Sequence, residues 1–373
     1  MTDAAGMAGR LRLLLLLLSF VSSDYASQDH SFKHESSFNQ DLSFDLAHFG
    51  RQDPQPLEYP CPDKNDIKPC VCLSGGFMIR DLHCSDVANE TQLAQVFSAK
   101  FPYRHFRSLV MVGNAGVREL RAGVFGDLTF QELRLVSGVL ERVEAGALAK
   151  SHDTLNLMHF YYNNIYDFPL AELASFTKLR EVRLYGNNFS LLPPLTSLSL
   201  EIFSIGYNPL KIINGTTFAA TPALRELHLY GVNLTELQPG IFGELPNLSF
   251  LSLRDNHLTT LPDAAVTLGR VEDGQVYLQN NDLISVAPNA LTGLGGGCVY
   301  LQDNALVEVA ELTWRPLLEA NVTLDLRNNP LSCGCEVAWL VLDPTLLTHL
   351  EPDSTCQDGQ KLTDIDPAIF EEC

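Results

Sequence analysis

The stretch Asn247–Leu258, NLSFLSLRDNHL, sets apolar residues at Leu248, Leu251, Leu253 and Leu258 and an asparagine at Asn256. The alternation Leu251, Ser252, Leu253 has the period of a half-buried strand, leucines facing inward and the residue between them outward. Asn256 then turns the chain, and its amide carries the donors and the acceptor needed by backbone groups that no strand ladder would satisfy. One such unit cannot bury its own leucines, so neighbouring units must stack on it.

Aligned on the asparagine slot, the pattern recurs at Asn114, Gly138, Asn163, Asn187, Asn208, Val232, Asn256, Asn281, Asn304 and Asn329. The steps are 24, 25, 24, 21, 24, 24, 25, 23 and 25 residues. A motif L-x-x-L-x-L-x-x-N-x-L at about 20–29 residues is the leucine-rich-repeat signature. A βαβ sheet would require longer helical crossovers. The predicted fold is therefore an α/β-type leucine-rich-repeat solenoid, a horseshoe with a parallel concave β-sheet of about ten repeats. Gly138 and Val232 lack the amide, so small irregularities are expected there.

A chain of 373 residues would ordinarily hold two or three domains, but a solenoid core grows by repetition. The net charge of −20, spread through the repeats, speaks for solubility and against nucleic acid or anionic lipid as a partner. Residues 1–26 read as a secretory signal: Arg10 and Arg12 precede Leu13–Leu18, the apolar run continues to Val21, and Ser22, Ser23 and Ala26 supply small residues for cleavage. The run is too short to span a bilayer, no later segment reaches spanning length, and the chain ends on Cys373 without a hydrophobic tail. A secreted, extracellular protein with no membrane span is expected. Residues 27–60, polar and carrying Ser31-Phe32, Ser37-Phe38 and Ser43-Phe44, read as a disordered linker or pro-segment ending in Pro54, Pro56 and Pro60.

Cysteines frame the repeats of residues 101–331. Cys61, Cys70, Cys72 and Cys84 fall in an N-terminal cap, residues 61–100, and Cys333, Cys335, Cys356 and Cys373 in a C-terminal cap, residues 332–373. A solenoid exposes raw core at both ends, and disulfide-knotted caps cover it in the oxidising compartment that a signal peptide supplies. Zinc also uses Cys-x-Cys pairs, but secretion and position favour disulfides. Each cap allows three connectivities. Cys298, the ninth cysteine, starts a concave strand just after Gly295-Gly296-Gly297 and reads as a half-buried free thiol, with an intermolecular disulfide as the sharper alternative. Sequons mark Asn89, Asn188, Asn214, Asn233 and Asn247 for glycosylation. Asn188 and Asn233 share one slot, just past the turn asparagine and two repeats apart, so both would project glycans from the same rim, which discourages protein contact there. Asn321, also in a sequon, stands where its repeat should place a leucine, so it is expected to be partly buried and unmodified.

No catalytic constellation is present: G-x-S-x-G, H-E-x-x-H and a P-loop are all missing, and Gly293–Gly297 reads as a loop between repeats. His159 and His228 share an open-face slot but stand three strands apart, about 14 Å, whereas zinc ligands lie about 2 Å from the metal. The chain is expected to need no cofactor or metal and not to be an enzyme. Its open face is more telling. Repeats three to six carry His159, Tyr161, Arg183, Tyr185, His228 and Tyr230 there, together with Tyr162 and Tyr207. Tyrosine and arginine anchor protein interfaces, so these six residues are the expected partner-binding set. The competing reading is that strand aromatics pack laterally to stabilise the sheet.

At the C-terminal cap, Leu326–Leu340, LRNNPLSCGCEVAWL, resembles the flanking cap of extracellular leucine-rich-repeat proteins. That resemblance implies the pairs Cys333–Cys356 and Cys335–Cys373. The N-terminal four-cysteine group looks like the matching leading cap, with Cys61 to Cys70 wider than usual, so its pairing stays open. More narrowly, the PCVC of Cys61–Cys84, the segment Trp314-Arg-Pro-Leu-Leu318 and CGCEVAWLV together resemble a group of secreted arthropod leucine-rich-repeat proteins that includes a non-catalytic luciferase subunit. The likeness spans roughly residues 61–373. It implies a stabilising or carrier partner of a separate small catalytic subunit. The alternative is an extracellular recognition or adhesion protein for a cell-surface, matrix or microbial ligand.

Overall fold

The computed structural model describes residues 61–75, 79–371 and 373. The expected signal (1–26) and linker (27–60) lie outside the described residues. One concave sheet of twelve strands runs through the chain, each strand hydrogen-bonded to its sequence neighbours. Its strands are β1 (Val71–Gly75), β2 (Ile79–His83), β3 (His105–Val112), β4 (Thr129–Val136), β5 (Leu157–His159) and β6 (Glu181–Arg183). They continue as β7 (Ile202–Ser204), β8 (Glu226–His228), β9 (Phe250–Ser252), β10 (Gly274–Tyr277), β11 (Gly297–Tyr300) and β12 (Val322–Asp325). β1 and β2 pair antiparallel within the N-terminal cap, and β2 passes the ladder to β3 in parallel. Every later pairing in this sheet is parallel and advances one repeat, as in Leu227 opposite Leu251 and His228 opposite Ser252.

The inward leucines justify the sheet. Leu227, Leu229, Leu251 and Leu253 are fully buried, and one continuous apolar core runs from Ile67 in the first cap to Phe370 in the last. Behind the sheet, phenylalanines fill the width that leucine alone would leave: Phe97, Phe125 and Phe130 meet edge-on, and Phe218 stacks on Phe242 at 6.2 Å.

The turn asparagines perform the bonding their slot requires. Asn256 Nδ2 donates to Leu229 O (2.9 Å) and Leu253 O (2.8 Å), while its Oδ1 accepts from Val232 N and Leu234 N, both at 3.0 Å. One side chain thus satisfies backbone in two repeats. Asn281, Asn304 and Asn329 repeat the arrangement. At Gly138 the ladder is interrupted: Asn114 Oδ1 accepts from Gly116 and Val117 of its own repeat, and a cavity of about 10 Å³ opens among Met111, Leu135, Leu140 and Asn163. At Val232 the fully buried valine itself occupies the slot.

The caps close the ends with four disulfides, Cys61–Cys72 and Cys70–Cys84 at one end, Cys333–Cys356 and Cys335–Cys373 at the other. The first two select one of three possible connectivities; the last two are the pairs implied by resemblance. Helix α1 (Glu90–Phe97), capped by Asn89 Oδ1 accepting from Gln92 N, presses Leu93, Val96 and Phe97 onto the first repeats. Helix α2 (Glu311–Glu319) buries Trp314, Leu317 and Leu318 before β12.

Two expectations are corrected. The glycine run is a loop only at Gly295 and Gly296, a bend between strands: Gly293 lies within Leu291–Leu294, a strand paired with Val266–Val271, and Gly297 opens β11. Glycine is required because a Cβ at Gly293 would lie 2.1 Å from Leu268 O and one at Gly297 2.0 Å from Gly274 O. Asn321 is exposed, with φ +61°, because α2 already supplies the leucines of that repeat. Cys298 is half-buried and unbonded. Its register between Gln275 and Thr323 puts it on the concave sheet beside Tyr300.

Candidate protein-binding face

The parallel register builds the concave face as rows. His159 lies opposite Arg134 on one side and Arg183 on the other, and Ser204 separates Arg183 from His228. The six expected residues therefore divide into a polar row and an aromatic row two positions later along each strand.

In the polar row, Glu181 gathers two of them. His159 Nε2 lies 2.8 Å from Glu181 Oε1, and Arg183 Nε donates to the same oxygen at 2.6 Å. Burial pushes the His159 pKa down, against the hydrogen bond to Glu181. The ring is thus neutral at pH 7 and donates its Nε2 hydrogen to the carboxylate. For Glu181 burial acts upward, but the His159 hydrogen bond and the Arg183 charge outweigh it and bring the pKa down to about 2. His228 stands apart, 3.7 Å from Glu226, its ring against Phe250 at 4.8 Å. The nearby His228 ring holds the Glu226 carboxyl below its usual range. His159 and His228 do not converge, and among the described residues no cluster of His, Cys, Asp and Glu could hold a metal ion.

In the aromatic row, Tyr161 and Tyr185 stack at 4.6 Å and 6° from parallel. Tyr185 reaches Tyr230 at 6.4 Å across Gly206, where any Cβ would lie 2.3 Å from the Tyr230 ring. Arg254 sits over Tyr230 at 5.2 Å. Beyond the expected set the aromatics continue: His228 meets Phe250, Phe250 meets Tyr277 at 5.0 Å, and Tyr277 stacks on Tyr300 at 4.5 Å. Glu181 and Phe250 were missed because both occupy the first position of their strands. The signal was the period itself: each lies two residues before the open-face slot of its own strand, Arg183 and Ser252. The stacking is lateral packing, as the competing reading expects, yet Tyr161, Tyr185 and Tyr230 keep part of each ring exposed.

The chain matches the Leucine rich repeat family over residues 222–273. The Oplophorus-luciferin 2-monooxygenase non-catalytic subunit of Oplophorus gracilirostris is 32% identical over 313 residues, 83% of this chain and 87% of that protein. The chain belongs to the family of that subunit. Podocan-like protein 1 of Mus musculus is 29% identical over 217 residues, covering 56% of this chain and 37% of that protein. Among solved structures, a chain of the octameric complex of Latrophilin 3, Unc5D and FLRT2 superposes with a TM-score of 0.62 at 19% identity. It covers 80% of this chain and 92% of that one, and shares the fold alone.

Proposed function

We propose that this chain is a secreted, non-catalytic subunit that binds a protein partner through its concave face, and that a small secreted enzyme of the luciferase type is the partner. The observation carrying the reading is the family relation, which covers most of both chains and whose relative is by name non-catalytic. Four disulfides and the exposed sequons at Asn89, Asn188, Asn214, Asn233 and Asn247 support an extracellular setting. The aromatic row from Tyr161 to Tyr230, with His159, Arg183 and His228 beside it, offers rigid amphipathic anchors of the kind that dominate interfaces.

Native size-exclusion with mass spectrometry on protein isolated under mild conditions tests this. A small secreted protein in stoichiometric amount in the same peak supports it, and luciferin turnover by that peak tests the enzyme. A lone monomer or homodimer peak overturns an obligate subunit role. Tyr185→Ala with Tyr230→Ala is expected to abolish the complex while secretion is unchanged; unchanged complex formation moves the site off this row.

A further inference from the structure

Just past the turn asparagines Asn163 and Asn187, a groove of about 350 Å³ opens between the third and fourth repeats. Tyr166, Phe168 and Pro169 form one wall, and Leu191 and Pro193 the other. A short ladder stops at its edge. Glu119–Leu120 pairs with Arg142–Val143 and Arg142 bridges to Asp167, but among the described residues no bridge carries the ladder on to Leu191. The fourth repeat, 21 residues from Asn187 to Asn208, is the shortest, and it crosses this flank on Pro193 and Pro194, which have no N–H to donate. Tyr166 is 59% exposed and Leu191 66%, while the carboxylate at the groove's edge, Asp167, is met by Arg142 at 2.9 Å. Apolar residues exposed singly need no explanation, but a pair of them facing across a groove marks a surface that something covers.

The occupant is named by what stands at the groove's lip. Asn188 N donates to Ile165 O at 2.9 Å, which seats Asn188 against the residue before Tyr166. The two residues that follow it, Phe189 and Ser190, line the groove and complete its sequon. Asn188 itself is exposed. A glycan on it therefore leaves the chain within two residues of the groove. Asn233 holds the same slot two repeats on and is an internal comparison: where Tyr166 and Leu191 flank Asn188, the matching positions beside Asn233 are Lys211 and Glu236.

We propose that the glycan carried by Asn188 is seated in this groove, its innermost N-acetylglucosamine residues against Tyr166 and Leu191, and that it is a packed part of the solenoid, whereas the glycan on Asn233 stands free in solvent. The inference rests on the extracellular reading above. On one side of a sugar ring the C–H bonds point outward and are positively polarised, so that side packs on the negative face of an aromatic ring, and it removes apolar surface from water as it does so. The hydroxyl groups at the ring's edge stay wet at the open mouth of the groove. A seated glycan also bars the groove to protein, which leaves the concave rows as the contact surface for a partner.

The test is site-resolved trimming. The full chain, secreted by cells that leave glycans in the high-mannose form, is digested in its folded state with an endoglycosidase that cuts between the innermost N-acetylglucosamines, and each sequon is followed by mass spectrometry of its peptide. Asn188 is expected to be trimmed about tenfold more slowly than Asn233, and both at one rate after denaturation. Tyr166→Ser with Leu191→Ser, both exposed positions, is expected to abolish the difference with the thermal melt retained. A second readout uses the empty groove: Asn188→Gln is expected to take up more anilinonaphthalenesulfonate than Asn233→Gln, and this comparison decides if the double serine variant is not secreted. An unmodified Asn188, equal trimming of the two sites, a difference that survives the double variant, or equal dye uptake overturns the seated glycan. If that happens while Asn233 carries its glycan, the extracellular reading stands and the seated glycan alone falls; if no sequon is modified, both fall.

Discussion

Glu181 accepts a hydrogen bond from His159 across one strand boundary, Nε2 to Oε1 at 2.8 Å. The pair fixes the sign of the protein's response to acid. The Glu181 pKa is depressed to about 2, so its contribution is complete above the ordinary carboxylate value and is lost as pH falls toward 2. The His159 pKa is also depressed, by burial, so the unfolded chain takes up that proton first and stability falls as pH drops below about 6.5. Both groups act in one direction. Thermal melts are expected to fall progressively from pH 7 to pH 3. Glu181→Gln should cost on the order of 2 kcal/mol at pH 7 and nearly nothing near pH 2. A pH-independent cost would show that Glu181 acts through shape rather than charge.

Asn256 and Val232 hold equivalent slots in adjacent repeats, so they weigh an amide against an apolar filler. Asn256→Ala leaves two buried carbonyls short of a donor and the Val232 and Leu234 amides without their acceptor. At about 1–3 kcal/mol for a buried unsatisfied group, the loss should be about 3 kcal/mol or more. Val232→Ala removes only apolar contact and should cost about 1–2 kcal/mol. Urea denaturation ranks the two, and hydrogen exchange adds a local readout: Val232 and Leu234 amides should lose protection in Asn256→Ala. Equal costs with unchanged exchange would mean that water replaces the side chain freely.

The repeat, the strand register and the inward leucines were legible because each is set within a single period of about 24 residues. What lay across the period was not. Glu181 meets His159 only after one full repeat, and the expected set kept just two residues of each strand. The N-terminal pairing Cys61–Cys72 with Cys70–Cys84 depends on how β1 folds back on β2, which spacing does not state. Asn321 misled because α2 interrupts the period: Leu317 and Leu318 take the buried positions, and Asn321 turns outward. Gly293 and Gly297, at the two ends of the run, misled because glycine serves close strand approach as readily as a turn.

Gly138 is the place where a substitution that commonly stabilises should do harm. Replacing glycine by alanine lowers the entropy of the unfolded chain and gains about 0.4–1 kcal/mol where the fold has room. Here a Cβ would meet Asn163 Oδ1 at 2.8 Å and Asn114 O at 2.9 Å, both committed to the ladder. The adjacent cavity of about 10 Å³ gives no relief, being close to the smallest space that holds one water. Gly138→Ala should therefore lower stability by about 1–2 kcal/mol, with faster hydrogen exchange at Leu140 as Asn163 is displaced. Asn163→Ala removes one of the two obstacles and leaves Asn114 O, so adding Gly138→Ala to it should cost less than Gly138→Ala costs alone. A double-mutant cycle with no coupling between the two positions would place the strain of Gly138→Ala elsewhere.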